Sequence, residues 1–295
     1  GSLSALVRII PFSSPIAKTK IDFADLIILG IIVKRSYGCF GRIGASMKRL
    51  LIIGFTLSFL FAEHKHWSSR SAYVLPEKRI EIGLFQPLRM GVSGRKEWAI
   101  HPVYFFVMPN VSLKKSLPAK YGFAVASRHS IIYPTPLLNI LARKGTGGLI
   151  SSEFTFPAMG LFNNEILLTR KLKAFNITMK AGFVIGISPE PLAKESTLDL
   201  PIVYHRLAPL YNGWGLRTGI DLGGRLANRI QFLADLDLHI TPKQMDLFAI
   251  EHKGMLIWEK SERLRISLGY KLVYGKYPFG TAIHLLPYLP MLETW

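Results

Sequence analysis

The chain has 295 residues, 49% of them hydrophobic, and a formal net charge of +18 at pH 7. That length suits one large core or one mid-sized barrel, and beyond residue 62 no run of about 18 uncharged apolar residues is present to form a spanning helix. The basic residues are dispersed, without an arginine-rich arm or recognition-helix pattern, so nucleic acid is not an expected partner despite the charge.

In chain order, the first feature is Met47-Lys48-Arg49 followed by the apolar stretch Leu50 to Phe61 and the small residue Ala62. A basic start, an apolar run of about a dozen residues and a small residue make a secretory signal at 47–62, cleaved after Ala62. The abrupt change to Glu63-His64-Lys65-His66-Trp67 fits an export junction. An internal signal implies that translation begins at Met47, so residues 1–46 read as an upstream extension outside the mature protein. Leu26 to Val33 is too short to span a bilayer. The single cysteine, Cys39, lies before the signal, which leaves 63–295 without a disulfide, a cysteine metal site or a lipoprotein anchor.

From Arg79 onward, segment after segment alternates, as strands with two different faces must. Between Arg79 and Val92 the even positions are apolar, Gln86 excepted. Phe175 to Ser188 sets Phe175, Ile177, Met179, Ala181, Phe183, Ile185 and Ile187 against Asn176, Thr178, Lys180 and Gly182. Leu216 to Leu226 and Ile230 to Thr241 form a hairpin through Ala227-Asn228-Arg229, with Arg217, Asp221, Arg225, Asp235 and Asp237 on the polar side. Arg263 to Gly275 repeats the pattern, its apolar face ending in Tyr270 and Tyr274 and its polar face carrying Arg263, Arg265 and Lys271. Weaker segments are Trp98 to Met108, Tyr121 to Arg128, Glu165 to Lys173, Asp246 to Trp258 and Thr281 to Trp295. Soluble strands average about five to six residues; several of these are about ten or longer, the length that crosses a bilayer at a tilt. A soluble β-sandwich or ligand-binding barrel also alternates, and sequence does not say which face points inward.

The longest irregular stretches are Ser130 to Phe162, with a short helix expected over Leu137 to Arg143, and Ser188 to Gly215. Gly145-Thr146-Gly147-Gly148 lacks the lysine and the strand-to-helix setting of a phosphate loop and reads as a turn. Ser127 and His129 share a face and could serve lipid hydrolysis, but no orienting partner is evident. His64 and His66 read as solvated leader residues. His101, His205, His239, His252 and His284 show no metal-ligand spacing, so neither a metal nor a cofactor is expected.

The signal, the long two-periodic strands and the aromatic end, Trp295, together resemble the Gram-negative outer-membrane β-barrel class, over 63–295. Two prolines, Pro287 and Pro290, confine the expected last strand to Met291 to Trp295 or suggest truncation. The resemblance implies an all-β, antiparallel, up-and-down transmembrane β-barrel of about ten strands, within a range of about 8–12. It also implies outer-membrane lipid and the barrel-assembly machinery as partners, a monomer, and Trp295 as the terminal assembly signal. Tyr270 and Tyr274 would lie in an aromatic girdle, and Lys180, Arg217, Asp221, Arg225, Asp235, Asp237, Arg263, Arg265 and Lys271 in a lumen network. The expected roles are a small pore or transport component, or a structural and surface-binding protein. The alternatives are a barrel-borne lipid-modifying enzyme and a soluble periplasmic protein that binds an apolar ligand.

Overall fold

Two-residue alternation does become strand. The computed structural model describes residues 70–83, 86–146, 148–173, 175–241, 248–261, 264–278 and 280–294. The signal expected at 47–62, the segment before it, Arg263 and Trp295 lie outside the described residues.

Among the described residues, twelve strands form one antiparallel up-and-down sheet: β1 (Ile80–Gly83), β2 (Gln86–Val92), β3 (Lys96–Ile100), β4 (Asn110–Lys120), β5 (Phe123–Ile132), β6 (Gly160–Lys171), β7 (Phe175–Ile187), β8 (Trp214–Ala227), β9 (Ile230–Ile240), β10 (Phe248–Glu259), β11 (Leu264–Tyr277) and β12 (Gly280–Thr294). Each strand pairs with its neighbours in sequence, and the order returns to its start where β12 meets β1 at Ile82↔Thr294 and Gly83↔Glu293. The strands from β4 to β12 hold 10 to 15 residues each. Short turns at 93–95, 121–122, 172–174, 228–229 and 260–263 mark one end of the sheet. The other end carries the long connections 101–109, 133–159 and 188–213.

The count exceeds the expected ten for identifiable reasons. Arg79 to Val92, read as one strand, is a hairpin in which β1 and β2 pair at Ile80↔Met90 and Glu81↔Arg89. A tight reversal with this register keeps the alternation in phase, so Ile80, Ile82 and Met90 share the exposed face while Glu81 and Arg89 are buried opposite. Sequence therefore shows no break. β4 went unread because Lys115 interrupts its outward face and Pro118 breaks its run. Trp98 to Met108 is strand only to Ile100 and then enters the short helix α1 (Pro102–Phe105). β12 passes through both prolines, contrary to the expected short strand. Pro287 pairs with Tyr270, Pro290 sits where the register with β11 shifts, and β12 meets β1 over only two residue pairs. Most of its far edge thus needs no N–H donor, the position at which proline is tolerated.

The faces of the sheet invert the order of a soluble core. Outward-facing Leu236, Leu256 and Leu268 are 50%, 51% and 55% exposed, while charged side chains fill the buried side. Of the exposed aromatics, Tyr121 and Trp258 lie near the short turns and Tyr104, Phe105, Phe106, Tyr133 and Trp214 near the long connections, while Trp98, Phe183 and Tyr270 lie within strands.

Two further segments occupy the buried side. The strap before β1 lies along it: Ala72 N–H donates to Thr169 Oγ1 at 2.8 Å, and Leu75 N–H to Glu97 Oε2 at 2.9 Å. From the long-connection end comes α3 (Pro201–Asn212), after α2 (Thr135–Leu141) in chain order. Pro201 suits a first helical turn, and Gly213, with φ 85°, ends the helix in the left-handed region. Tyr204 and Ala208 pack on Ala249, Val273 and Tyr277 of the wall, while Leu207 and Leu210 join Leu138, Ile150 and Phe156 of the 133–159 connection. The helix is gripped on two faces, which explains apolar residues around more of it than one stripe. A Cβ at Gly186 of β7 would stand 2.1 Å from Pro209 O, so glycine there is what lets the helix seat.

Candidate functional site: a charged interior

The buried side of the sheet is ionic. Lys180 of β7 places Nζ 2.7 Å from Asp221 Oδ1, 2.7 Å from Asp235 Oδ1 and 2.6 Å from Asp237 Oδ1. Asp221 and Asp235 are direct cross-strand partners, a like-charge pairing that would be unfavourable without a cation between them. Arg70 of the strap adds a second cation, 2.6 Å from Asp235 Oδ2. Lys180 reaches Asp237 across Gly219: a Cβ there would stand 2.1 Å from Asp237 Oδ1. Arg217 bridges Glu165 and Asp237 at 2.5 Å each, and Arg128 also bonds Glu165.

Glu251 of β10 collects four donors. Arg206 approaches at 2.6 Å, Lys253 at 2.5 Å, Lys271 at 2.9 Å and His205 Nε2 at 2.8 Å. Lys253 also lies 3.7 Å from Asp235, which joins this cluster to the first. A further group sits on β1 to β4: Arg89 bonds Glu81 and Glu97 at 2.9 Å each, and Lys114 lies 3.4 Å from Glu97. Buried charges are tolerated only when paired and hydrogen-bonded, and here pairing extends across many strands.

Of the residues expected in the interior, Lys180, Arg217, Asp221, Asp235 and Asp237 meet in one network, and Lys271 joins it through Glu251. Arg225 and Arg265 lie apart from it, 3.4 Å from Glu259 and 3.4 Å from Glu81 respectively. Arg263 lies outside the described residues. Tyr270 and Tyr274 both face outward at 39% exposure. Tyr270 is mid-strand, covering Gly254 and accepting or donating a 3.0 Å bond with His252 Nε2, whereas Tyr274 packs edge-on to Phe248 nearer the long-connection end.

Sequence reading missed Glu165, Glu251 and Lys253, although their alternation within weaker segments was a usable signal. It also missed Arg70, His205 and Arg206, which lie outside strands and carry no two-residue period. On α3, burial leads in pushing the His205 imidazole down to about 4, with Arg206 and Lys271 adding to it and the bond to Glu251 opposing, so the ring is neutral at pH 7. Its Nδ1 and the Nε2 of His239 are buried without a hydrogen-bond partner.

His129 and Ser127 were expected to share a face without an orienting group. The structure supplies one: exposed His129 bonds through Nδ1 to Asn164 Oδ1 at 2.8 Å, across the β5–β6 ladder on the outer side.

Together these features define an all-β up-and-down protein whose sheet buries its charges and exposes its apolar side chains. No protein-family model matches the chain, and no curated protein matches it.

Proposed function

We propose that this protein is an outer-membrane β-barrel with an occluded interior, and that it acts as a structural and surface-binding protein rather than as an open pore. The observation that carries the reading is the inverted pair of faces. A soluble protein rarely exposes a contiguous apolar patch larger than about 300–600 Å², yet apolar residues are exposed on strand after strand. A lipid-facing surface requires that arrangement, and aromatic residues toward both rims fit the two interfaces of a bilayer. The strands from β4 to β12, of 10 to 15 residues, reach the length a tilted crossing needs, while β1, β2 and β3 are shorter.

Occlusion follows from three fillings of the interior: the strap from residue 70, the Lys180 and Glu251 networks, and α3. The long connections then offer the larger surface for a partner. Refolding 63–295 into phospholipid vesicles should give a heat-modifiable band on cold gels and no stepwise conductance in planar bilayers. Recovery of the protein in the detergent-free soluble phase, or discrete conductance steps from the intact chain, would count against this reading.

A second reading rests on the His129–Asn164 bond. An amide oxygen accepting from Nδ1–H leaves Nε2 as a base, and Ser127, buried at 9% exposure, stands two residues earlier at the same parity of β5. A lipid ester would be the substrate, with Ser127 the nucleophile. Fatty-acid release from phospholipid by wild type and not by His129→Ala supports it; no release by wild type removes it.

A further inference from the structure

The Glu251 cluster contains two imidazoles that the ion-pair network does not use. One ligand atom from each of His205, His239 and Glu251 lies within 4.8 Å of the others, and all three residues are buried. The rings of His205 and His239 stand 4.6 Å apart at 67°. His205 hands Nε2 to Glu251 at 2.8 Å, and since a carboxylate held by Arg206, Lys253 and Lys271 can only accept, the proton sits on Nε2. Nδ1 is then a bare lone pair, enclosed and without a partner. His239 Nε2 is likewise buried and unpartnered, with its residue 9% exposed. Two orphaned nitrogen atoms on buried rings 4.6 Å apart are costly in a folded interior unless a partner satisfies them.

We propose that His205 and His239 form a binding site for one late transition-metal cation of the zinc class, with Glu251 orienting His205 from the far side of its ring. An imidazole that ligates a metal through one nitrogen while the other donates to a carboxylate is the arrangement that fixes the tautomer and raises ligand basicity. The surroundings set the selectivity. Three cations already occupy the Glu251 carboxylate, so a calcium or magnesium ion, which needs several oxygen ligands, finds none to spare. A zinc-class ion bonds to neutral nitrogen, here the two imidazoles, with water completing its shell. The second grouping of possible ligands, Asp235, Asp237 and Glu251, is filled by Lys180, Arg70, Arg217 and Lys253 and is no such site. One ligand comes from α3 and one from β9, so the metal would tie the helix to the wall. The inference needs no conductance or enzymatic activity.

The test is zinc retention by refolded protein in detergent micelles, measured by elemental analysis after desalting and by titration calorimetry, with calcium as the contrasting ion. The expected result is one zinc per chain for wild type and for the outer-face control His129→Gln. His205→Gln and His239→Gln should each weaken binding about tenfold or more, and calcium should not be retained. Absence of stoichiometric zinc in wild type, or retention unchanged in both histidine variants, overturns the proposal. Should either variant fail to give the heat-modifiable folded band, cobalt-loaded wild type decides the matter. Two hyperfine-shifted imidazole N–H resonances are expected, and their absence overturns the site.

Discussion

Lys180 is 3% exposed and faces three carboxylates, two of them direct cross-strand partners. Removing its charge while keeping its length, as in Lys180→Met, leaves Asp221, Asp235 and Asp237 with Arg70, Arg217 and Lys253 as the remaining cations around them. Breaking a buried pair by deleting one partner costs about 3–5 kcal/mol, so the urea midpoint for unfolding from micelles should fall by the equivalent of that amount. Replacing Lys173, an exposed residue beyond β6, should leave the midpoint within about 0.5 kcal/mol of wild type. If both variants unfold alike, the network does not carry the stability assigned to it. Lys180 itself was legible, because one polar residue at an alternating position already implies a side chain on the polar face. Asp221, Asp235 and Asp237 were legible in the same way, but their meeting with Lys180 was not: they come within its reach only once the β7–β8 and β8–β9 registers are fixed, and periodicity contains no register.

At the scale of elements, α3 is the piece that strand reading could not find. Its apolar residues recur on two faces, one answering the sheet wall and the other the 133–159 connection, so neither a two-residue period nor a single helical stripe emerges. The plug was foreseen only as a long irregular stretch. Its seating rests on apolar packing with the wall, on Arg206 and His205 at Glu251, and on Lys271 Nζ donating to Ile202 O at 2.7 Å. Replacing Pro201–Asn212 with a glycine-serine linker of equal length removes all three while the ladder of twelve strands keeps its own hydrogen bonds. The expected outcome is a folded, heat-modifiable protein that now passes small ions in planar bilayers. A silent bilayer would show that the strap and the Lys180 network close the interior without the helix.

The whole molecule has a direction. The short connections 93–95, 121–122, 172–174, 228–229 and 260–263 lie at one end, together with the start of β1 and the end of β12, and the three long connections lie at the other, beside the short links from β1 to β2 and from β11 to β12. Outer-membrane barrels place short turns in the periplasm and long loops outside the cell; the same orientation here would present 133–159 and 188–213 outward, with the charged interior between. That asymmetry was visible in sequence as unequal spacing between alternating segments, whereas the choice of which face meets lipid was not, since alternation is symmetric between the two sides. The orientation is open to a direct check, because the only cysteine of the sequence, Cys39, lies outside 63–295. In intact cells, a membrane-impermeant maleimide should label Lys144→Cys, an exposed position in the long connection after α2, and leave Lys173→Cys in the β6–β7 turn unlabelled until the outer membrane is permeabilised. Labelling of Lys173→Cys first would reverse the orientation and move the binding surface to the periplasmic side. Equal labelling of both only after lysis would remove the protein from the cell surface altogether, and with it the surface-binding role that the long connections support.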